Sequence, residues 1–398
     1  MRIWSIGVVT ALLLSGGLIE GPTPASASSF QPESLPSTSP AISEVSQPET
    51  STKQPLDAES PEAVGLIIQY EDASGLETPA NEVEAIEAVE QAFNENLDGP
   101  SEVPVIESAT EIDSGLFVVE FDETASDNNV EELVTALEES PGVATVEPDW
   151  QISVNFDDVV IDEPINISEV ELDSVSTNAV QSNVVWGLDR IDQKALPLNF
   201  TYQYDDTGQG VRVYVVDTGV RSTHVDFQGR VTAGYSSVAD GQGTNDCNGH
   251  GTHVAGTVAG ALHGVAKAAT IVPVRVLDCS GTGSLSQLIA GLDWVKTDAL
   301  SSRPAKSVVN LSLGGPYSGL LNAKATELVA AGIPVVVASG NEAVDACEVS
   351  PASAPAVIAV NASTPEDMDA YFSNYGACTD LYAPGVAIKS TYHLSNTS

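Results

Sequence analysis

Residues 248–257 read Asn-Gly-His-Gly-Thr-His-Val-Ala-Gly-Thr, and upstream of them an apolar run from Val211 to Val216 delivers Asp217-Thr-Gly219. A carboxylate at the end of a buried strand can accept from one imidazole N–H and fix the tautomer of the ring. His250 sits in a glycine-flanked turn at the start of a helical stretch. Its second nitrogen can then take a proton from a hydroxyl, work that a pKa near neutrality suits. His253 points elsewhere and is expected to pack or to hydrogen-bond internally. Zinc ligation by this pair is disfavoured, because a zinc-binding helix spaces its histidines at i and i+4 around a Glu. The chemistry is acid–base, of the kind that can activate a nucleophile.

These residues need a rigid frame. From Trp186 onward the sequence turns Gly-, Ala- and Val-rich. Short apolar runs predict strands over Val211–Val216, Ile271–Leu277, Ser307–Leu311, Ile333–Ala338 and Ala356–Asn361. Helical periodicity covers His253–Ala261, Ser284–Leu300 and Leu320–Ala331. Buried strands alternating with helices predict an α/β fold with a doubly wound parallel sheet. Ligands in such sheets bind beyond the carboxyl ends of the strands, where Asp217 and Asn341 both fall.

A second unit is expected over residues 63–150. A strand from Val64 to Tyr70 precedes a helix capped by Asn81, with Val83, Ile86, Val89 and Phe93 on one face. Strands over Val103–Ala109 and Leu116–Phe121 follow. A helix from Asn129 to Glu138 gathers Val130, Leu133, Val134 and Leu137, and a strand over Val143–Glu147 closes the set. The order βαββαβ predicts a small α+β, ferredoxin-like sheet with two helices on one face. Residues 28–62, rich in Ser, Pro, Thr and Glu, read as a disordered linker, and residues 151–178 as a second, acidic one.

At the start of the chain, Arg2, the largely apolar stretch Ile3–Ile19 and Ala25-Ser-Ala27 read as a secretory signal over residues 1–27. No later run is long and apolar enough to span a bilayer. A secreted, extracellular protein follows, off the membrane once the signal is removed. The formal net charge is −42, and residues 1–180 carry 37 acidic against two basic residues. Such a chain repels nucleic acid and stays soluble. Export favours disulfides for Cys247, Cys279, Cys347 and Cys378; three pairings are possible, and the similar gaps suit pairing of neighbours. No Cys-x-x-Cys pair argues for zinc.

Asp217-Thr-Gly, His250-Gly-Thr-His-Val-Ala-Gly-Thr, Ser312-Leu-Gly-Gly and Ala338-Ser-Gly-Asn-Glu342 together resemble the subtilisin family of serine proteases. Trp186-Gly-Leu-Asp-Arg-Ile-Asp-Gln193, the cysteine positions and Phe372-Ser-Asn-Tyr-Gly376 are similar to its proteinase K and aqualysin branch. The likeness spans residues 179–398; residues 63–150 resemble, less specifically, the family's inhibitory propeptide. The resemblance implies that Asp217 orients His250, the general base and later acid. It gives Asn341 the oxyanion-hole amide. Ser280-Gly281-Thr282-Gly283 and Ser312-Leu313-Gly314-Gly315 become the segments flanking a peptide substrate, whose exposed strand edges would pair with an extended chain. It also implies structural calcium at two sites: Asp189, Asp192, Gln193, Asn199 and Thr201 at one, and Asp380 with the carbonyls of Pro351 and Ser353 at the other.

The family's Gly-Thr-Ser-Met-Ala motif is absent. Leu394-Ser-Asn-Thr-Ser398 imitates it, but Asn396 stands in place of the Gly. Aligned from Ala383-Pro-Gly385, Ser398 falls in the preceding loop, and the nucleophile is expected beyond it. The expectation is a monomeric serine endopeptidase precursor acting on protein or peptide substrates, with its propeptide as an intramolecular inhibitor. A processing site is expected within 151–178, with the resemblance favouring Ala179 as the new N-terminus. The alternative is a terminated, non-catalytic secreted protein that acts by binding or through its inhibitory domain.

Overall fold

The computed structural model describes residues 62–70, 79, 81–96, 104–125, 127–154 and 179–397. The expected signal peptide, most of both linkers, Val103 and Ser398 lie outside them. In chain order, the N-terminal domain holds β1 (Ala63–Tyr70), α1 (Glu82–Asn96), β2 (Ile106–Asp113), β3 (Leu116–Ala125), α2 (Asp127–Glu138) and β4 (Val143–Ser153). Its strands run antiparallel in the order β4-β1-β3-β2. This is the expected βαββαβ arrangement. Asn81 caps α1 reciprocally: its Oδ1 accepts from the Glu84 amide at 3.1 Å and its Nδ2 donates to Glu84 Oε1 at 2.9 Å. One face prediction fails. Val83 is 63% exposed, and the buried stripe of α1 is Ala85, Val89, Ala92 and Phe93.

Alternation along β1 divides the domain's apolar side chains between two cores. Leu66 and Ile68 join Phe117, Val130 and Leu137 beneath the helices. Ile67 and Leu116 face the other way, into the core of the larger domain. The sheet is therefore buried on both sides.

The larger domain opens with β5 (Ala179–Ser182), α3 (Trp186–Asp192) and β6 (Thr201–Tyr204), then β7 (Val211–Asp217), β8 (Tyr235–Ser236), α4 (His250–Ala259), β9 (Thr270–Arg275) and β10 (Thr282–Ser284). It continues through α5 (Leu285–Ser301), β11 (Lys306–Leu311), β12 (Gly315–Pro316), α6 (Gly319–Ala330), β13 (Val335–Ala338), β14 (Val349–Ser350), β15 (Ile358–Ser363) and β16 (Leu381–Pro384). Seven strands form one parallel sheet in the order β16-β15-β13-β11-β7-β9-β8. Both faces are covered: Val213 and Val215 of β7 pack with Val254 and Val258 of α4, while Tyr214 and Val216 pack with Leu288 and Leu292 of α5. That is the doubly wound α/β fold the sequence predicts. Ser284 and Ser318 start α5 and α6 by accepting from the Gln287 and Leu321 amides.

Among the described residues no helix is long and apolar enough to cross a membrane. The cysteines pair as neighbours, Cys247–Cys279 and Cys347–Cys378. The first bridge fastens the turn before His250 to the residue before Ser280.

Candidate active site

Asp217 ends β7, Leu311 ends β11 and Ala338 ends β13, and these three strands are neighbours in the sheet. Parallel strands aligned in this way bring Asp217, Ser312–Gly315 and Asn341 to a single carboxyl edge. Adjacent strands lie about 4.8 Å apart, so the ends of β7 and β13, two strands apart, lie roughly 10 Å from one another. His250 arrives from the side, as the first residue of α4.

The carboxylate of Asp217 and the ring of His250 are both fully buried. His250 Nδ1 lies 2.7 and 2.9 Å from the two Asp217 oxygens. An ionised carboxylate only accepts, so Nδ1 carries the proton and Nε2 is the basic nitrogen. The Thr218 amide donates to Asp217 Oδ1 at 2.7 Å and helps hold its plane. His253 behaves as expected of an internal ring. Its Nε2 lies 3.1 Å from the Ile388 carbonyl, and burial, with the nearby His250, pushes its pKa down to about 3. It stays neutral.

Asp246 was not legible as a site residue, yet it holds the constellation together. Its Oδ1 accepts from Thr218 Oγ1, Asn248 N and Gly249 N, and its Oδ2 accepts from Thr252 N and Oγ1. One buried carboxylate thus ties the residue after Asp217 to the first turn of the helix bearing His250. An Asp just ahead of a helix start is a capping signal, and that was the available clue.

The two predicted substrate segments face each other across a groove, and β4 lies in it. Beyond Glu147 the strand continues to Ser153, where a linker was expected from residue 151. It pairs antiparallel with β10: Thr282 opposite Ser153, Gly283 opposite Ile152, Ser284 opposite Gln151. Val154 N donates to the Gly281 carbonyl at 2.9 Å. Gly281 has φ +83°, and a Cβ there would stand 2.9 Å from the Val154 carbonyl. On the other wall, a Cβ on Gly315 would come within 2.8 Å of Ile152 Cγ2. The glycines are what let a backbone approach this closely. Leu313 shares the apolar core with Ile152 and Val154. Ser280 closes its turn onto Asp278, and Ser312 accepts from Asn310 Nδ2 at 2.9 Å, so neither side chain projects into the groove as a lone polar group. Gly314 continues the same segment. Asn341 is half-buried and follows Gly340, whose φ of +109° turns the chain out of β13.

Two acids fasten β4 in place. Glu147 Oε1 accepts from the Leu320 amide at 2.9 Å and Oε2 from Ser318 Oγ, at the start of α6. Asp149 accepts from Ser286 N at 2.8 Å and Ser286 Oγ at 2.6 Å, at the start of α5. Carboxylates at helix N-termini meet unsatisfied N–H groups and the positive end of the dipole. The two acids are spaced i, i+2 on one strand, a same-face signal that the sequence reading passed over.

Asp149 is nearly fully buried, and desolvation raises its pKa to about 6 against the opposing bonds from Ser286. A pKa raised on docking means that docking takes up a proton. The contribution is complete below the free value near 3.9 and is lost as pH rises through about 6. We expect the hold of β4 on the groove to weaken by about 50-fold between pH 4 and pH 7 through this group. Hydrogen-exchange protection of the Ile152–Val154 amides, corrected for intrinsic rates, measures it. Asp149→Asn should remove that component, and an identical pH profile in the variant would refute the assignment.

The oxygens of the residues expected to hold calcium are satisfied unequally. Asp189 is buried and accepts from the Asn199 and Phe200 amides. Gln193 Oε1 accepts from Asn199 Nδ2, and Thr201 Oγ1 donates to Asn199 Oδ1. Asp192 Oδ2 accepts from Gln203 N, while its Oδ1 is buried with no hydrogen-bond partner among the described residues. Burial, with Asp189 adding to it, raises the Asp192 pKa. An orphaned carboxylate oxygen in an all-oxygen set fits a hard cation. At the second set, Asp380 Oδ2 accepts from Ala359 N and the Pro351 carbonyl accepts from Ala354 N.

With this geometry in view, the comparisons are specific. A family model described as the subtilase family matches residues 208–398. The chain is 48% identical over 258 residues to an extracellular serine proteinase of Thermus sp. (strain Rt41A), covering 65% of this chain and 60% of that protein. It is 47% identical over 231 residues to proteinase T of Parengyodontium album, covering 57% of this chain and 78% of that protein. A solved cold adapted subtilisin-like serine proteinase superposes with a TM-score of 0.51 at 47% identity, over 53% of this chain and 76% of that one. The chain spans 60% of the Thermus protein and 40% of an alkaline serine exoprotease A from Vibrio alginolyticus, to which it is 49% identical.

Proposed function

Since this chain belongs to the subtilase family, we propose that it is the precursor of a secreted serine endopeptidase and that residues 63–154 are its inhibitory propeptide. One observation carries the reading: a buried Asp217–His250 pair stands beside a groove in which a strand is bound by main-chain pairing, as a peptide substrate would be. His250 Nε2 takes the proton of a serine hydroxyl, and the serine oxygen attacks the scissile carbonyl. Asp217 keeps Nδ1 protonated and stabilises the imidazolium that forms. His250 returns the proton to the leaving amine, and water completes the second half-reaction. Asn341 offers an amide to the oxyanion; for subtilisin itself, loss of such a donor costs about 2.7–4 kcal/mol.

On this proposal the attacking serine lies downstream of Ser398. The segment leading to it is packed against the turn before His250. Arg221 donates to the His393 carbonyl and to Asn396 Oδ1, and a Cβ on Gly249 would collide with Tyr392 and His393. Processing between Val154 and Ala179 would separate inhibitor from enzyme. Because Gln151–Ser153 is strand, the cut falls later than the start of the expected linker. Asp192 and its neighbours would hold a structural calcium ion.

The product of the complete coding sequence is expected to hydrolyse peptide p-nitroanilides and to lose that activity on labelling of a single serine by an organophosphate. Failure of both hydrolysis and labelling would sink the endopeptidase reading and leave a binding protein.

A further inference from the structure

The docked N-terminal domain is strongly like-charged with the body that holds it. Residues 63–154 carry 23 Asp and Glu and no Lys or Arg, whereas residues 179–398 carry 19 acidic and 12 basic residues. In the larger domain Arg190, Arg212, Arg275 and Lys296 are paired with that domain's own Asp367, Asp298, Asp240 and Glu327. Among the described residues, the ion pair that crosses between the domains is Lys324–Asp113 at 2.7 Å, and Lys324 is shared with Asp293. What holds the domain is short-ranged. It consists of the β4–β10 pairing, the burial of Ile67, Leu116, Ile152 and Val154, and the helix-capping carboxylates of Glu147 and Asp149.

We propose that ionic strength sets the grip of this domain on the substrate groove, and that salt tightens it. The inference deepens the propeptide reading, on which it rests, by naming how that inhibition is regulated. Repulsion between two net-negative bodies acts over the Debye length, about 30 Å at 0.01 M and about 3 Å at 1 M. Salt removes it almost entirely. The contacts that hold β4 act at van der Waals and hydrogen-bond distance and are buried, where screening is weak. Most interfaces held by opposite charges loosen in salt; this one has the opposite sign. A precursor in saline surroundings keeps its groove filled, and dilution lets the strand go.

The test is hydrogen exchange on the full 398-residue chain between 0.02 and 0.5 M NaCl. Protection of the Ile152–Val154 amides should rise by about tenfold or more. The variant Glu87→Gln/Glu131→Gln/Glu138→Gln/Glu139→Gln removes exposed charges from the two helices and from the turn after α2, on the side of the sheet opposite Ile67 and Leu116. It should show higher protection at low salt and a shallower rise. The β1–β3 amides report the domain's own stability, which self-repulsion also touches. If protection of Ile152–Val154 is flat or falls with salt, rises only in step with β1–β3, or rises as steeply in the variant, the proposal is overturned. None of these readings needs hydrolysis, so failure of the endopeptidase reading would be seen separately.

Discussion

Asp217→Asn should lower kcat by about 10⁴-fold with little change in KM, measured on a peptide p-nitroanilide with the product of the complete coding sequence. The magnitude is taken from analogous substitutions, including removal of the corresponding acid in subtilisin, a member of the same family. The physical reason is local. Asp217 can only accept, so the 2.7 and 2.9 Å contacts oblige His250 to carry its proton on Nδ1. An amide there can turn its NH₂ toward the ring and stabilise the other tautomer, with the proton on the nitrogen that should be the base. It also removes the negative charge that stabilises the imidazolium in the transition state. Size is nearly unchanged at a fully buried position, and an amide oxygen can still accept from Thr218 N, so folding should survive. Thermal denaturation of the variant separates the two effects. A loss of less than tenfold in a well-folded variant would mean that Asp217 does not orient the base.

How much of this was legible in the sequence differs from residue to residue. Asp217 could be placed because five apolar neighbours precede it and only a buried strand satisfies them. The helices read as Ser284–Leu300 and Leu320–Ala331 show in their apolar periodicity, while their caps, Ser284 and Ser318, come from the structure. Other features depend on partners far away in the chain. Thr282-Gly-Ser284 has no intrinsic strand signal, and it is a strand because β4 lies against it. The same contact carries β4 past Glu147, where periodicity alone ended it. Val83 fits the helical stripe of α1 by spacing, but Ala85 and Ala92 allow the closer approach to the sheet, and Val83 is left in solvent. Glu147 and Asp149 looked like two more charges in an acidic half. They act through helix N-termini more than a hundred residues distant, and no local pattern reports that.

Asp246→Ala is the second large effect expected, and it falls on stability first. The carboxylate is 2% exposed and accepts five hydrogen bonds, three of them from backbone amides in the turn and first turn of α4. Alanine leaves those N–H groups buried without acceptors, each costing about 1–3 kcal/mol, with partial relief from water or from relaxation of the turn. A net loss of about 3–5 kcal/mol follows, in the range measured when a buried charged network loses a member. For a domain of this size that corresponds to a fall in thermal midpoint of roughly 6–20 °C. Glu327→Ala is the control: Glu327 pairs with Lys296 at the surface, both side chains are more than a third exposed, and the loss there should be much smaller. Asp246→Asn keeps an acceptor of the same shape and should recover part of the midpoint. Recovery would be incomplete, because an amide NH₂ must then face Thr218 Oγ1 or the Thr252 amide. A midpoint within 2 °C of the parent for Asp246→Ala would show that α4 is positioned by its packing alone. If the midpoint falls as expected, the carboxylate that ties Thr218, next to Asp217, to the first turn of α4 is also a principal support of the helix that carries His250.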